Sequence, residues 1–386
     1  MKWESLLHEL FEGLIKINTT NPKGNEKAAA LYLKNVFDQY GIPCRVQEIS
    51  EDRANFLAEF DTGKPGKTLM FNGHLDVVPA VGEWSVSPFS VTEKDGRLYG
   101  RGSCDMKGAI AAFCTAVISL IEEGKLTRGK VQILCVADEE CDNLGTRYYF
   151  EQVSAEQKPD YAIIGEPTEL LLAVAHRGVS RDYIRIRGNA GHAAIRPTER
   201  TAIELAAEAI RGLTHLNSEM LNREHEILPP PSIAITRLSA YEKDNVIPGE
   251  VEILTDFRIL PDMEHEHVVD LLTEVMRREN ISNYELKKHF YLPGGQLDPR
   301  DELAELMLPI IAEVTGKADG PQAFGAFCEQ CFFLNHGIRA VICGPGSLKE
   351  AHTVDEFVEK DQLFKAVEIY RKVSETICGE QEGKDE

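Results

Sequence analysis

Five short segments of this chain end in side chains that can bind a divalent cation or carry a proton. "NGHLDVVP" supplies His74 and Asp76, "GRGSCDMKG" supplies Asp105, and "ADEECD" supplies Glu139 and Glu140. "IIGEPTE" adds Glu166, and "GPGSLKEAHTVDEF" adds His352 near the other end of the chain. The donors are imidazoles and carboxylates, a set that suits Zn²⁺ or a similar divalent ion without structural thiolates. Taken singly, each has an ordinary explanation. A lone histidine packs or sits on a surface, an aspartate among glycines makes a turn, and two adjacent glutamates close a solvated strand end. Taken together, each follows an apolar run, and strand ends of that kind open on the crevice where α/β folds bind ligands.

The segments that must position these groups alternate up to about residue 176. "EKAAALYLKNVFDQYG" has a helical period and stops at a glycine, "KTLMFNGHLD" is a short apolar strand, and "AIAAFCTAVISLIEEG" is a strongly apolar helix. "KVQILCVAD" and "YAIIGEP" follow as buried strands, which predicts an α/β sheet with chemistry at its strand ends. From about Ser180 the pattern becomes β-α-β-β-α-β: strand "SRDYIRIRG", helix "RTAIELAAEAIRGLTHL", strands "PSIAITRLSA" and "EVEILTDFRIL", helix "HEHVVDLLTEVMRREN", strand "YELKKHFYL". That order is the split βαβ, ferredoxin-like unit. The expected organisation is a discontinuous catalytic domain, 1–178 and 295–386, interrupted by an α+β insert over 179–294.

The chain has 386 residues, enough for two domains, and a formal charge of −21 with 43% hydrophobic residues. That balance argues against a nucleic-acid or anionic-membrane partner, since phosphate binding needs a cationic surface. Nine cysteines, several inside apolar runs (Cys114, Cys135, Cys343), suit reduced thiols rather than a disulfide framework. The N-terminal "MKWESLLHELFEGLIKI" reads as an amphipathic helix instead of a signal peptide, and no stretch approaches the ~20 apolar residues of a membrane span. A cytoplasmic location is expected. Cys328 and Cys331 have half the spacing of a zinc site but no second pair, so they read as buried thiols.

In this order the five motifs resemble the co-catalytic zinc metallopeptidase and deacylase family, which includes acetylornithine deacetylase, succinyl-diaminopimelate desuccinylase, glutamate carboxypeptidase and the aminoacylases. "GRGSCDMKG", "GEPTEL" and "GPGSLKEAHTVDEF" look most like the deacetylase and desuccinylase branch. The resemblance implies a mixed-sheet catalytic domain with an inserted lid that mediates homodimerisation. It implies two Zn²⁺ per subunit, with Co²⁺ or Mn²⁺ as substitutes, and hydrolysis of an N-acyl amino acid or short peptide. His74 and Glu166 would bind one ion, Glu140 and His352 the other, and Asp105 both. Asp76 would orient the His74 ring, and Glu139 would be the general base. In the insert, His192 of "GNAGHAAIRP" would reach a partner's active site, Asn245 of "DNVIPG" would lie near substrate, and Arg258 of "TDFRIL" would clamp its carboxylate. A cis peptide after Asp105 is implied as well. The chain departs from the family's habit at Cys141-Asp142, at "AHRGVS" and at "AFGAFCEQCFF", which leaves the acyl and side-chain preference open. A metal-free binding protein on the same fold would be expected to have lost ligands or the base, and none is missing.

Overall fold

A computed structural model describes residues 3–195 and 197–380. The chain divides into two compact units: Met1–Val174 with Leu297–Phe324 and Cys328–Glu386, and Ala175–Gln296 with Gly325–Phe327. The division falls inside the apolar strand Ala173–His176 and at Gln296, a few residues outside the junctions read from the sequence.

The first unit is built on a mixed sheet. Its strands run, side by side, Cys44–Glu48, Ala54–Asp61, Lys130–Val136, Thr68–His74, Tyr161–Ile164 and Arg339–Ile342, and the chain leaves along Ala173–His176. The four strands Lys130–Val136, Thr68–His74, Tyr161–Ile164 and Arg339–Ile342 are mutually parallel. Their C-terminal ends therefore lie along one edge, and there the chain places His74, the Asp138–Asn143 turn, Glu166 and the Gly344–Gly346 loop. Parallel strands of this kind are covered on both faces and read as unbroken apolar runs, as "VQILCV" and "YAII" do.

Helix Lys107–Glu122 is buried from Lys107 through Leu120, which fits its nearly unbroken apolar composition. It packs on the Thr68–His74 strand, on the C-terminal helix Lys360–Cys378 and on the N-terminal helix Glu4–Lys16. Phe71, Phe113 and Tyr370 meet at the centre with ring centroids 5.2–6.2 Å apart, one ring from the strand and one from each of two helices. The Tyr370 hydroxyl donates to the Cys343 carbonyl at 2.8 Å, so the aromatic cluster also anchors the end of a sheet strand. Lys107 is fully buried, yet its Nζ donates to the Leu14 and Ile17 carbonyls at 3.1 and 2.8 Å, ending the first helix.

The second unit is an antiparallel sheet in the order Ser232–Ser239, Glu250–Ile259, Gly178–Arg187, Tyr284–Leu292, with helices Ala202–Met220 and His265–Arg278. Period-2 alternation is visible along Gly178–Arg187. Ser180, Asp182, Ile184 and Ile186 are buried, while Arg181, Tyr183 and Arg185 are half-exposed. The outward arginines pair across the strands, Arg185 with Glu252 and Arg187 with Glu250, both at 2.9 Å.

One close approach ties the catalytic-edge loops together. A methyl group at Gly344 would overlap the main-chain carbonyls of Gly165 and Glu166. Thr168 brackets the same contact, its N–H donating to the Gly344 carbonyl at 3.2 Å and its Oγ1 accepting the Gly344 N–H at 3.1 Å. Gly344→Ala is therefore expected to cost about 1–3 kcal/mol of stability, the usual penalty of forced overpacking. Urea unfolding of the purified variant measures it.

Candidate metal centre

The five predicted ligand residues converge at this edge of the first unit. His74, Asp105 and Glu166 place one donor atom each within 4.8 Å of one another, and so do Asp105, Glu140 and His352. Asp105 belongs to both sets, and a third group, His74, Glu139 and Glu140, meets the same distance without it. Its Oδ1 is 2.9 Å from His74 Nε2 and its Oδ2 is 3.3 Å from His352 Nε2, so the two oxygens of one carboxylate face two different imidazoles. Glu140 Oε1 lies 2.8 Å from His352 Nε2, and Glu166 Oε1 lies 3.9 Å from His74 Nε2. The Asp105–Met106 peptide is cis.

His74, Glu140 and Glu166 take their positions from strand ends, whereas Asp105 and His352 lie in loops. His74 closes its strand fully buried, and its Nδ1 donates to the main-chain carbonyl of Asp76 at 2.9 Å. A carbonyl accepts only, so Nδ1 carries a proton, and Nε2 is the ring atom that faces the carboxylates. Asp76 thus orients the ring through its backbone. Its carboxylate lies 3.7 Å from Nδ1 and serves elsewhere. Oδ1 accepts the Glu139 N–H and Oδ2 the Glu140 N–H, each at 3.0 Å, and Asn21 Nδ2 donates to Oδ2 at 2.5 Å.

The paired glutamates sit in a tight turn that begins at Asp138, whose φ of 69° is left-handed. The Asn143 N–H returns to the Asp138 carbonyl at 2.7 Å, the Asp142 N–H to Asp138 Oδ2 at 3.2 Å, and Asn143 Nδ2 to the Glu139 carbonyl at 3.1 Å. Arg53 holds the turn from behind. It pairs with Asp138, reaches Glu26 at 2.9 Å and Asn21 Oδ1 at 3.1 Å, and so links the turn to the Asn21–Asp76 contact.

Burial and hydrogen bonding tie the charges of the site strongly to one another. Burial pushes the Glu139 and Glu166 carboxyls well above their usual range, and neighbouring carboxylates push further in the same direction. Burial would also raise Asp105, but hydrogen bonds from His352 and His74 hold it well below. Hydrogen bonds to Asp105 and Glu140 raise His352 to about 10. In this arrangement the histidine protons supply the positive charge between the carboxylates, and a set of imidazoles and carboxylates converging on Asp105 fits a divalent metal that would take their place.

His192, Asn245 and Arg258 belong to the second unit. His192 lies on the short strand Gly191–His192, paired with Val246–Ile247, and its Nε2 is 3.4 Å from Asn245 Nδ2. Arg258 Nε pairs with Asp256 Oδ1 at 2.9 Å. Cys328 and Cys331 are buried free thiols, and no cysteine enters a metal-capable group among the described residues. Sequence reasoning passed over Arg53, Asn21 and Glu329. Glu329, inside the unusual "AFGAFCEQCFF", is fully buried, hydrogen-bonded by the Thr146 hydroxyl, and raised by burial to about 7. Only its placement between two cysteines in an apolar run signalled burial.

Among the described residues no helix is long and apolar enough to cross a membrane. The model of peptidase family M20/M25/M40 matches residues 70–376. An acetylornithine deacetylase of Proteus mirabilis is 30% identical over 386 aligned residues, covering 96% of each chain. Two solved structures share the fold. The M20 metallo-carboxypeptidase Sso-CP2 of Sulfolobus solfataricus has a TM-score of 0.77 at 20% identity, covering 96% of this chain and 99% of its own. The aminopeptidase PepT of Bacillus cereus has a TM-score of 0.79 at 21% identity, covering 97% and 98%. With the family model matching most of its length and a curated relative aligned nearly end to end, the chain belongs to peptidase family M20/M25/M40 and is a metal-dependent hydrolase of amide bonds.

Proposed function

We propose that the chain is an N-acyl-amino-acid deacylase with two zinc ions, and that acetylornithine deacetylase, a cytoplasmic step of arginine biosynthesis, is its activity. The observation that carries the two-ion reading is Asp105, one carboxylate divided between His74 and His352. His74 and Glu166 would hold one ion and Glu140 and His352 the other. When bound, the ions supply Lewis acidity to the amide carbonyl and to water. Every other step belongs to the chain. Glu139, buried beside both clusters but outside the set that shares Asp105, takes a proton from water on its carboxylate and delivers it to the departing amine. Burial suits that task, because a carboxylate with a raised pKa holds a proton long enough to pass it on. The resemblance assigns His192 to carbonyl-oxygen stabilisation in a partner subunit, Asn245 to substrate contact and Arg258 to the substrate carboxylate, which makes the functional form a homodimer. The near-full-length likeness to acetylornithine deacetylases supports the substrate.

A second acyl group is favoured by one observation. Arg258 faces Val179 across the sheet, Arg181 lies two residues from Val179 on the same side, and Arg177, just before that strand, feels the Arg258 charge. Asp256 serves Arg181 at 2.8 Å and Arg258 at 2.9 Å, while Arg177 has no acidic partner among the described residues and donates to the Pro230 carbonyl at 3.0 Å. Two guanidiniums on one carboxylate, with Arg177 near enough to Arg258 to feel its charge, suit a substrate with a second carboxylate, such as an N-succinyl amino acid, better than one with a cationic side chain.

Glu139→Gln is expected to keep KM and bound metal while kcat falls about 10²–10⁴-fold. Steady-state kinetics with metal analysis checks it, and a near-normal kcat removes Glu139 as base. Chelation should abolish turnover, and added Zn²⁺ or Co²⁺ should restore it. Assay of the zinc-loaded enzyme on N-acetylornithine, N-succinyl-diaminopimelate, other N-acyl amino acids and dipeptides decides the substrate. In that panel Arg258→Ala should raise KM for every carboxylate substrate. Arg177→Gln should raise it for N-succinyl substrates alone, and equal KM values throughout would sink the second reading.

A further inference from the structure

The loop that carries Asp105 is held by the carboxylate of Glu356. Glu356 is fully buried, four residues after His352. Its Oε1 accepts the backbone N–H groups of Cys104 and Asp105 at 2.9 and 3.0 Å. Its Oε2 accepts the N–H of Gly102 at 3.1 Å and pairs with the Arg101 guanidinium. Arg101 is itself 1% exposed, donates to the Pro79 carbonyl at 3.2 Å and lies over the Trp84 ring at 5.1 Å. Glu356 is thus fixed from one side by a packed guanidinium and offers both oxygens to three N–H groups of one loop.

Charge-assisted bonds to successive main-chain N–H groups set the path of a backbone more firmly than neutral ones. Here they fix the Asp105 amide, from which the dividing carboxylate springs. Because Glu356 shares the segment Ala351–Glu356 with His352, the same bonds also set that segment against the Gly102–Asp105 loop. The Asp76 carboxylate makes an analogous pair of bonds, but to Glu139 and Glu140, neither of which belongs to the His74–Asp105–Glu166 set.

We propose that Glu356, braced by Arg101, is the positioning residue for the bridging carboxylate, holding Asp105 between His74 and His352 so that both ion sites depend on one clamp. The inference rests on the reading that the two clusters hold divalent ions.

The test is titration of metal-free protein with Co²⁺, followed by visible absorption and calorimetry, with far-UV circular dichroism as the control on folding. Wild type should bind two Co²⁺ per chain; fewer would count against the two-ion reading and not against the clamp. Glu356→Gln should keep the wild-type dichroism, weaken both Co²⁺ sites about 10–100-fold and shift both sets of cobalt bands. Asp76→Asn should weaken one site and spare the other. Glu356→Asp, which restores the charge at shorter reach, should fall between wild type and Glu356→Gln. Should Glu356→Gln fail to fold, Arg101→Lys carries the comparison, since it leaves Glu356 and its N–H partners in place and loosens only the brace. Two wild-type Co²⁺ sites in the folded variant, or loss confined to one site, would overturn the proposal.

Discussion

Everything at the catalytic edge depends on gathering negative charge where water is scarce. Asp76, Asp105, Glu139, Glu166, Glu329 and Glu356 are all buried, and all stand at or behind the ends of the parallel strands. Desolvating so many carboxylates is costly unless each is answered by donors. Asp76 and Glu356 are answered by backbone N–H groups and by Asn21 or Arg101. Asp105 is answered by two imidazoles. Glu139 and Glu166 are left with the least compensation, and theirs are the carboxyls that burial and repulsion push highest. The protein spends its own donors on the supporting carboxylates and leaves the front row in need of cations.

This division of labour separates what the sequence discloses from what it hides. His74, Glu140 and Glu166 were legible because each follows an apolar run at a strand end, and strand ends of a parallel sheet share an edge. Asp105, in the loop before helix Lys107–Glu122, and His352, in a loop well past strand Arg339–Ile342, joined them through the order of the motifs. The strands and helices themselves were legible from period, as in "KVQILCV" and "AIAAFCTAVISLIEEG". Asp76 was legible as a partner of His74, but residue type left open whether its carbonyl or its carboxylate makes the contact. Glu356 gave no signal. It is one acid in the acidic run "VDEFVEKD", and only the three-dimensional course of residues 101–105 turns it inward. Arg53 and Asn21 were hidden for the same reason, as ordinary polar residues in polar loops.

The second unit shows the opposite economy. Its sheet exposes a ladder of arginines answered across the strands by glutamates and aspartates, most of them half in solvent. Such pairs contribute little to stability individually, so a missing acid there costs little to folding. Arg177, which meets no carboxylate among the described residues and gives one donor to the Pro230 carbonyl, keeps its remaining donors for an anion.

The order of the donors along the chain also bears on how the protein is made. The first strand of the catalytic edge ends at residue 74, the last donor is residue 352, and the helix that seals Phe71 and Phe113 runs from Lys360 to Cys378. Between them lies the whole of the unit Ala175–Gln296. During synthesis that unit emerges complete while the first is still missing a central strand and its covering helix. Domains fold as units once their sequence is available. The interrupting unit can therefore fold on the ribosome first, and the acid-rich edge forms only when the final helix arrives to close the sheet.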